Sequence, residues 1–370
     1  MKLMYFLTHI TNSGGMEHIV IDKINYFAEN GYEIALTYFG KETDESFFPL
    51  SANVKKYPID LFMDTSSLYI KGINFIKLIS RLNGIIKRFS PDVIVNANAI
   101  TISWILPFLK RNIPKIVELH FSYDGLMEMN KEYYGNNKFK CYINNKLRTT
   151  IYPKYHYCVL LTDTDKKKWG FRNAVVIPNF TNMHGISRNE QSAKNVICVG
   201  RLAPPKNIDL LVKSWKIVAS AEPVWHLDIW GDGVLRTQIE SLIVKLDLQD
   251  FVTLKGTSKK LDEEYPKYSL FVLPSRYEGF PLVLVEAMEY GLPCVGFDIS
   301  GNISVIEDGK NGIIVKKRTP EDLATAILSL IQSPSLRKKM SVYAANSIKK
   351  YSKENVMQMW TDLFNDMVRV

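Results

Sequence analysis

Two glutamates frame an apolar run in SRYEGFPLVLVEAMEYGLPCVGFD, residues 275–298: Glu278 precedes Gly-Phe-Pro, and Glu286 lies inside a helix-length stretch from Phe280 to Tyr290 that stops at Gly291. The run LFVLPS before them has the length and residue types of a strand, so Arg276, Tyr277, Glu278 and Gly279 fall in the loop at its carboxyl end. Free N–H groups at the helix start, near Gly279, Phe280, Leu282 and Val283, suit an anion. A carboxylate beside bound phosphate is unfavourable unless it accepts hydrogen bonds from hydroxyls. The two together point to a ligand that carries a sugar, a ribose and phosphate. On this stretch alone the plainer alternative stays open, in which one Glu answers the helix dipole and the other is an exposed helix charge.

Cations and glycines occur at matching places. Gly200-Arg201-Leu202-Ala203-Pro204-Pro205-Lys206 follows the strand NVICVG and precedes the helical pattern IDLLVKSW, which puts two cations at a strand's carboxyl end, where a diphosphate would sit. Gly14-Gly15 follows the first strand and opens the first helix, again a place where free N–H groups meet phosphate; a tight turn needing positive φ is the competing explanation. Asp163-Thr164-Asp165 has the spacing of a divalent-ion motif, but it opens a helix after YCVLLT, where Thr162 or Asp163 caps, and no metal site is expected.

These loops need a frame to hold them. Short β-rich runs (KLMYFLTHI, YEIALTYFG, VIVNAN, KIVELH, YCVLLT, AVVIPN) alternate with amphipathic stretches such as EHIVIDKINYFAEN, the pattern of a parallel sheet with helical crossovers. The second half repeats it with NVICVG, LDIWG, FVTLKG, LFVLPS, PCVGFD and GIIV. Each half reads as a doubly wound α/β domain, joined through the polar stretch 179–195, and ligands of such sheets bind beyond the strands' carboxyl ends, here in a cleft between the two. The last stretch, YSKENVMQMWTDLFNDMV, reads as a helix capped by Ser352, with Val356, Met359, Trp360 and Leu363 on its apolar stripe.

Composition excludes several classes. A hydrophobic fraction of 46% and a charged fraction of 23% are those of a globular chain, and 370 residues suffice for two cores. The longest mostly apolar run, VIVNANAITISWILPFL, carries two Asn and a Pro and is too short and too polar for a membrane span; the start lacks a signal-peptide cleavage site, so a cytoplasmic location is expected. Cys141, Cys158, Cys198 and Cys294 have no spacing that suggests a disulfide framework or zinc site. The net charge of +9 is uneven, with 24 Lys and Arg against 17 Asp and Glu over residues 1–190. Much of the excess lies in residues 131–172, where Lys138, Lys140, Lys146, Arg148 and Lys154 are set among tyrosines, a mixture suited to anionic headgroups; a solvated loop is the alternative.

SerArgTyrGluGlyPheProLeuValLeuValGluAlaMet, Gly-Gly-x-Glu, Gly-Arg-Leu-x-x-x-Lys, Ile177-Pro178-Asn179 and Gly231-Asp232-Gly233 occur in this chain, and with them the whole chain resembles the retaining GT-B glycosyltransferases of family four. The resemblance implies two Rossmann-like doubly wound domains, 1–185 for the acceptor and 190–350 for the nucleotide-sugar donor, with the helix at 352–370 completing the first. It implies that Glu286 binds ribose hydroxyls and Glu278 the transferred sugar, that Arg201 and Lys206 hold the diphosphate with help from Gly14, Gly15 and the amides near Gly279, Phe280, Leu282 and Val283, and that His120 attends the sugar near the reaction centre. Two positions depart from the pattern: Pro205 stands where an acidic residue is usual, and Asn207 where a glycine is.

The implied reaction is metal- and cofactor-independent transfer, with retention, of a hexose or N-acetylhexosamine from a nucleotide sugar, UDP being the first expectation. The implied acceptor is a glycan, on a polyprenyl diphosphate at the anionic inner membrane surface, in surface polysaccharide assembly; no nucleic-acid partner is expected. A nucleotide-sugar epimerase of the same architecture, and a basic membrane or nucleic-acid binding module, are the competing readings. The first would need several acid and base groups around the sugar and would form a sugar isomer without acceptor, and the second leaves the paired glutamates without a role.

Overall fold

The computed structural model describes residues 1–61, 68–97, 100–135, 137–182, 192–258 and 260–368. The chain divides into two compact units, one made of Met1–Ile177 with Met357–Val370 and the other of Pro178–Val356. Within the polar stretch 179–195, where the sequence suggested the joint, residues 183–191 lie outside those described.

The first unit is built on seven parallel strands, β1 (Lys2–Leu7), β2 (Glu33–Phe39), β3 (Val54–Ile59), β4 (Val93–Ala97), β5 (Lys115–Leu119), β6 (Tyr157–Leu160) and β7 (Ala174–Val176), in the order β3-β2-β1-β4-β5-β6-β7. Helical crossovers cover both faces, so the central strand is buried from Leu3 through Leu7 and reads as a continuous apolar run rather than an alternating one. The sequence pattern identified six of these strands and missed β3. Lys55, Lys56 and Pro58 hide it, and residues of these types are what blunt an edge strand against further pairing.

The helix Lys353–Val368 belongs to the first unit from Met357 onward. Met357, Trp360, Phe364 and Met367 are buried, and the Phe364 ring meets Phe27 at 5.3 Å between centroids. Met359, expected on the apolar stripe, is exposed. It sits one residue from Trp360, about 100° round the helix axis, beyond the stripe's edge. Ser352 does accept from the Asn355 amide at 3.3 Å, as its capping position suggested.

The second unit has six parallel strands, β8 (Asn195–Val199), β9 (His226–Trp230), β10 (Val252–Gly256), β11 (Leu270–Leu273), β12 (Cys294–Phe297) and β13 (Gly312–Val315), in the order β10-β9-β8-β11-β12-β13. All six were legible as apolar runs. Trp215, Leu227, Ile229, Leu270, Val272 and Leu323 form the centre of its core. The four cysteines are free; burial pushes the Cys158 and Cys198 thiols up to about 12, so neither is a nucleophile at neutral pH.

Candidate active site

In both sheets the strand order reverses beside the first strand. In the second unit that switch falls between β8 and β11, which pair directly, Leu270 with Val196 and Phe271 with Ile197. The chains leaving these two strands run in opposite directions along the sheet and open a crevice at the carboxyl ends. The two segments that leave here are 200–206 and 275–279, those in which sequence analysis placed Arg201, Lys206 and Glu278.

The cationic loop is fixed by backbone contacts. Gly200 N donates to Trp230 O (2.9 Å), Leu202 N to Asp232 O (2.9 Å) and Leu235 N to Leu202 O (3.0 Å). A Cβ at Gly231 would lie 2.1 Å from the Gly200 carbonyl oxygen, and one at Gly233 2.5 Å from that of Leu202. Both glycines are therefore required by close approach of one loop to the other, and both also have positive φ. The Gly231-Asp232-Gly233 turn is the support on which the Arg201 loop lies.

Past Lys206 the chain turns sharply. Asn207 has φ 56° and ψ 34°, ending the short 3₁₀ turn Pro204–Lys206 and starting the helix Ile208–Ala221. Asparagine is among the few residues other than glycine that accept this left-handed conformation readily, so the replacement of the usual glycine leaves the turn intact. The Asn207 side chain also accepts from Arg276 Nε (3.2 Å), and Arg276 N donates to Pro205 O (2.8 Å). These two bonds tie the loops after β8 and β11 together.

Lys206 Nζ lies 2.5 Å from Glu278 Oε1, which also accepts from Ser275 Oγ at 2.7 Å. Both partners are largely but not fully buried, with side-chain exposures of 24% and 14%. One ammonium proton on Glu278 leaves two for other acceptors, and Glu278 Oε2 remains for a hydroxyl. Gly301 lies against the backbone of Glu278: a Cβ there would be 2.7 Å from Glu278 Cβ and 2.8 Å from the Glu278 backbone carbonyl oxygen. Sequence analysis placed Ser275 at the strand end without a role, and Gly301 escaped it, since no spacing marks that glycine. Arg201 is exposed at the rim of the same loop.

The helix that follows spans Leu282–Glu289, shorter than the expected run from Phe280 to Tyr290. Gly279 and Phe280 precede it, and the Leu282 amide is already bonded to Phe280 O (3.1 Å), so fewer N–H groups point outward than the sequence suggested. Gly291, with φ 73°, ends the helix region as expected. Glu286 is held by Tyr265, whose hydroxyl donates to Oε2 at 3.0 Å. Burial first, and then the Glu286 charge, keep the Tyr265 hydroxyl protonated far above its ordinary range. Its ring stacks on Tyr290 at 5.3 Å. The two glutamates thus have separate supports, Lys206 with Ser275 for one and Tyr265 for the other.

In the first unit, Gly14 and Gly15 open the helix Gly15–Glu29. Gly14 has φ −75° and Gly15 is not among the positive-φ glycines, so the turn explanation for this pair fails. The Glu17 carboxylate folds over Gly14, 2.2 Å from where a Cβ would be, and receives Asn12 Nδ2 at 3.2 Å, while the space at Gly15 is open. His120 lies just past β5, buried, with Nε2 3.1 Å from Glu118 Oε2. Asp165 is a helix-start residue: the Thr162 hydroxyl caps its amide (3.0 Å) and bonds its Oδ2 (2.8 Å), and its Oδ1 accepts from Tyr123 N (3.0 Å). Thr162 rather than Asp163 is the cap.

Residues 179–347 match the family described as Glycosyl transferases group 1. The second unit belongs to that family. Over 97% of its length the chain is 26% identical to an uncharacterized glycosyltransferase of Haemophilus influenzae, covering 98% of that protein. It is 31% identical over 57% of its length to the poly(ribitol-phosphate) alpha-N-acetylglucosaminyltransferase of Staphylococcus aureus, spanning 44% of that longer protein. Anabaena HepE, solved in complex with UDP, superposes with a TM-score of 0.76 at 16% identity, with 99% of this chain and all of that one covered. The chain is a glycosyltransferase with the two parallel-sheet domains of the GT-B fold.

Much of the basic aromatic segment of this glycosyltransferase, residues 138–151, forms a helix rather than a loop. Helices Tyr123–Tyr134 and Lys138–Ile151 pack through Asn130, which donates to Asn145 (2.6 Å) and accepts from Asn144 (2.8 Å). On the outer side of the second helix, Phe139 (71% exposed), Tyr142 (63%), Ile143 and Leu147 lie among Lys138, Lys140 and Lys146. Arg148, counted among the headgroup-facing cations, is buried instead, with Nη1 turned toward Asn145. No helix among the described residues is long and apolar enough to cross a membrane.

The conformation of Asn207 is open to test. Asn207→Ala and Asn207→Gly both lose the bond to Arg276, but only alanine resists the left-handed turn, by about 1–2 kcal/mol. In thermal or urea unfolding the alanine variant should be the less stable of the two by that amount. Equal stability would mean that the turn is not strained for a Cβ.

Proposed function

We propose that this glycosyltransferase moves a hexose or N-acetylhexosamine from a UDP sugar to a lipid-linked glycan acceptor, with retention at the anomeric carbon and without a metal. The observation that carries the reading is the meeting of Lys206, Ser275 and Glu278 at the switch point of the second sheet. A cation with protons to spare beside a braced carboxylate matches a ligand in which phosphate and sugar hydroxyls are neighbours. The similarity in fold to a protein solved with UDP, and the sequence similarity to a named N-acetylglucosaminyltransferase, support it.

In this reading the bond between the sugar's anomeric carbon and the β-phosphate oxygen breaks. The acceptor oxygen bonds to the same face of that carbon, and its proton passes to the departing phosphate. Charge that develops on the diphosphate is met by Lys206, Arg201 and the start of helix Leu282–Glu289 rather than by a divalent ion. Glu286, steadied by Tyr265, accepts from the ribose hydroxyls, and Glu278 from those of the transferred sugar. His120 attends the sugar. The outer face of helix Lys138–Ile151 lies against the anionic headgroups that surround a polyprenyl-diphosphate acceptor.

Two variants separate binding from chemistry. Glu286→Ala should weaken UDP binding by about 1.5–3 kcal/mol in calorimetry with folding intact. Lys206→Ala should lower turnover by about 10²-fold or more, and EDTA should leave the native rate unchanged. Loss of activity in EDTA that Mg²⁺ or Mn²⁺ restores would overturn the metal-free mechanism. On the acceptor side, sedimentation with anionic vesicles should show binding that weakens as salt rises, each exposed lysine contributing about 1 kcal/mol. Lys138, Lys140 and Lys146 changed together to Gln should abolish it and leave UDP binding untouched. Vesicle binding that ignores salt, or is absent, would point to a soluble acceptor.

A further inference from the structure

A group of ionisable side chains lies beneath His120, and the proposed reaction gives it no part. Glu118 and His120 are two residues apart at the end of β5 and so project to one side. Lys23 reaches the same place from helix Gly15–Glu29, and Trp360 from helix Lys353–Val368. All three ionisable groups are out of water: Lys23 is 1% exposed, Glu118 3% and His120 8%. One oxygen, Glu118 Oε2, serves both neighbours, at 2.5 Å from Lys23 Nζ and 3.1 Å from His120 Nε2. The Lys23 ammonium lies 3.9 Å from the centre of the Trp360 ring.

Proton accounting gives this arrangement a direction. Burial pushes the Glu118 carboxyl up, but the Lys23 charge and the His120 bond together hold it below the ordinary range, so it is ionised. An ionised carboxylate has no proton to donate, and the hydrogen in the contact with His120 belongs to Nε2. In the neutral ring the other nitrogen, Nδ1, is then a lone-pair acceptor, and it has no hydrogen-bond partner among the described residues. A buried Lys–Glu pair is weak support for a fold, since an apolar pair of similar volume does as well. A histidine bonded to that pair with its second nitrogen unpaired is the arrangement by which a carboxylate sets a catalytic imidazole.

We infer that Glu118, with Lys23 as its buried counter-ion, is a positioning residue for sugar transfer: it fixes His120 in the Nε2–H tautomer and keeps Nδ1 as the acceptor for a hydroxyl of the transferred sugar. This rests on the proposed role of His120. Trp360 closes the pair off from water, which makes the helix Lys353–Val368 part of the device.

Glu118→Gln alone leaves Lys23 buried without a counter-ion and risks unfolding, so the test uses the double variant Lys23→Met with Glu118→Gln, which removes both charges at nearly constant volume. Histidine ¹⁵N spectra, with the His120 signals assigned by their loss in His120→Gln, should show a single Nε2–H tautomer in the native chain. The double variant, in which the introduced amide can donate as well as accept, should show a mixture. With native circular dichroism and unchanged UDP binding, its kcat should fall by about tenfold or more while KM for the nucleotide sugar stays within about threefold. A native Nδ1–H tautomer, an unchanged tautomer in the double variant, or an unaltered kcat would each overturn the inference. Should the native chain transfer no sugar from any nucleotide sugar, the proposed function fails, whereas the spectra still decide whether Glu118 sets the ring.

Discussion

Direct pairing of β8 with β11 is the constraint on which the second unit's chemistry depends. A parallel sheet sends each strand's carboxyl end to the same edge, and only where the order reverses do two successive loops part and leave room. Lys206 and Glu278 are 72 residues apart in sequence and meet because they leave adjacent strands at that point. Everything around them is support: two glycines that let one backbone lie on another, a third behind Glu278, and bonds from Arg276 that join the loops. Little of the site's geometry resides in the side chains that would touch a ligand.

The two units handle buried charge differently. In the second, the Lys206–Glu278 pair keeps partial exposure and spare hydrogen-bonding capacity, which suits groups that exchange partners. In the first, Lys23 and Glu118 are buried and locked to one another, with the Tyr5 and Trp360 rings over the Lys23 ammonium. Charges held that way cost much to separate, and so they serve to hold a geometry rather than to change it.

What could be read from the sequence follows the same division. Strand ends followed by glycine, cation and carboxylate at fixed offsets are local patterns, so Gly200–Lys206 and Ser275–Gly279 were legible from residue order alone. Tyr265 was not, because its partner Glu286 is 21 residues on and no spacing rule links them. Lys23 and Glu118, 95 residues apart, were equally hidden. β3 escaped because an edge strand suppresses the apolar signal by which strands are recognised, and Arg148 was misplaced because a cation on an amphipathic helix looks solvated until its neighbours are known. Asn207 is a departure in sequence and an equivalent in backbone conformation.

The first unit is discontinuous, and this bears on how the chain is made. Met1–Ile177 leaves the ribosome before any of Pro178–Val356, yet the helix that carries Trp360 and Phe364 is translated after all of it. During that interval Lys23 has no indole over it and Phe27 lacks the Phe364 ring. The unit synthesised first is thus completed last, and a nascent chain carries the second unit while Lys23 and Phe27 of the first still wait for their aromatic partners.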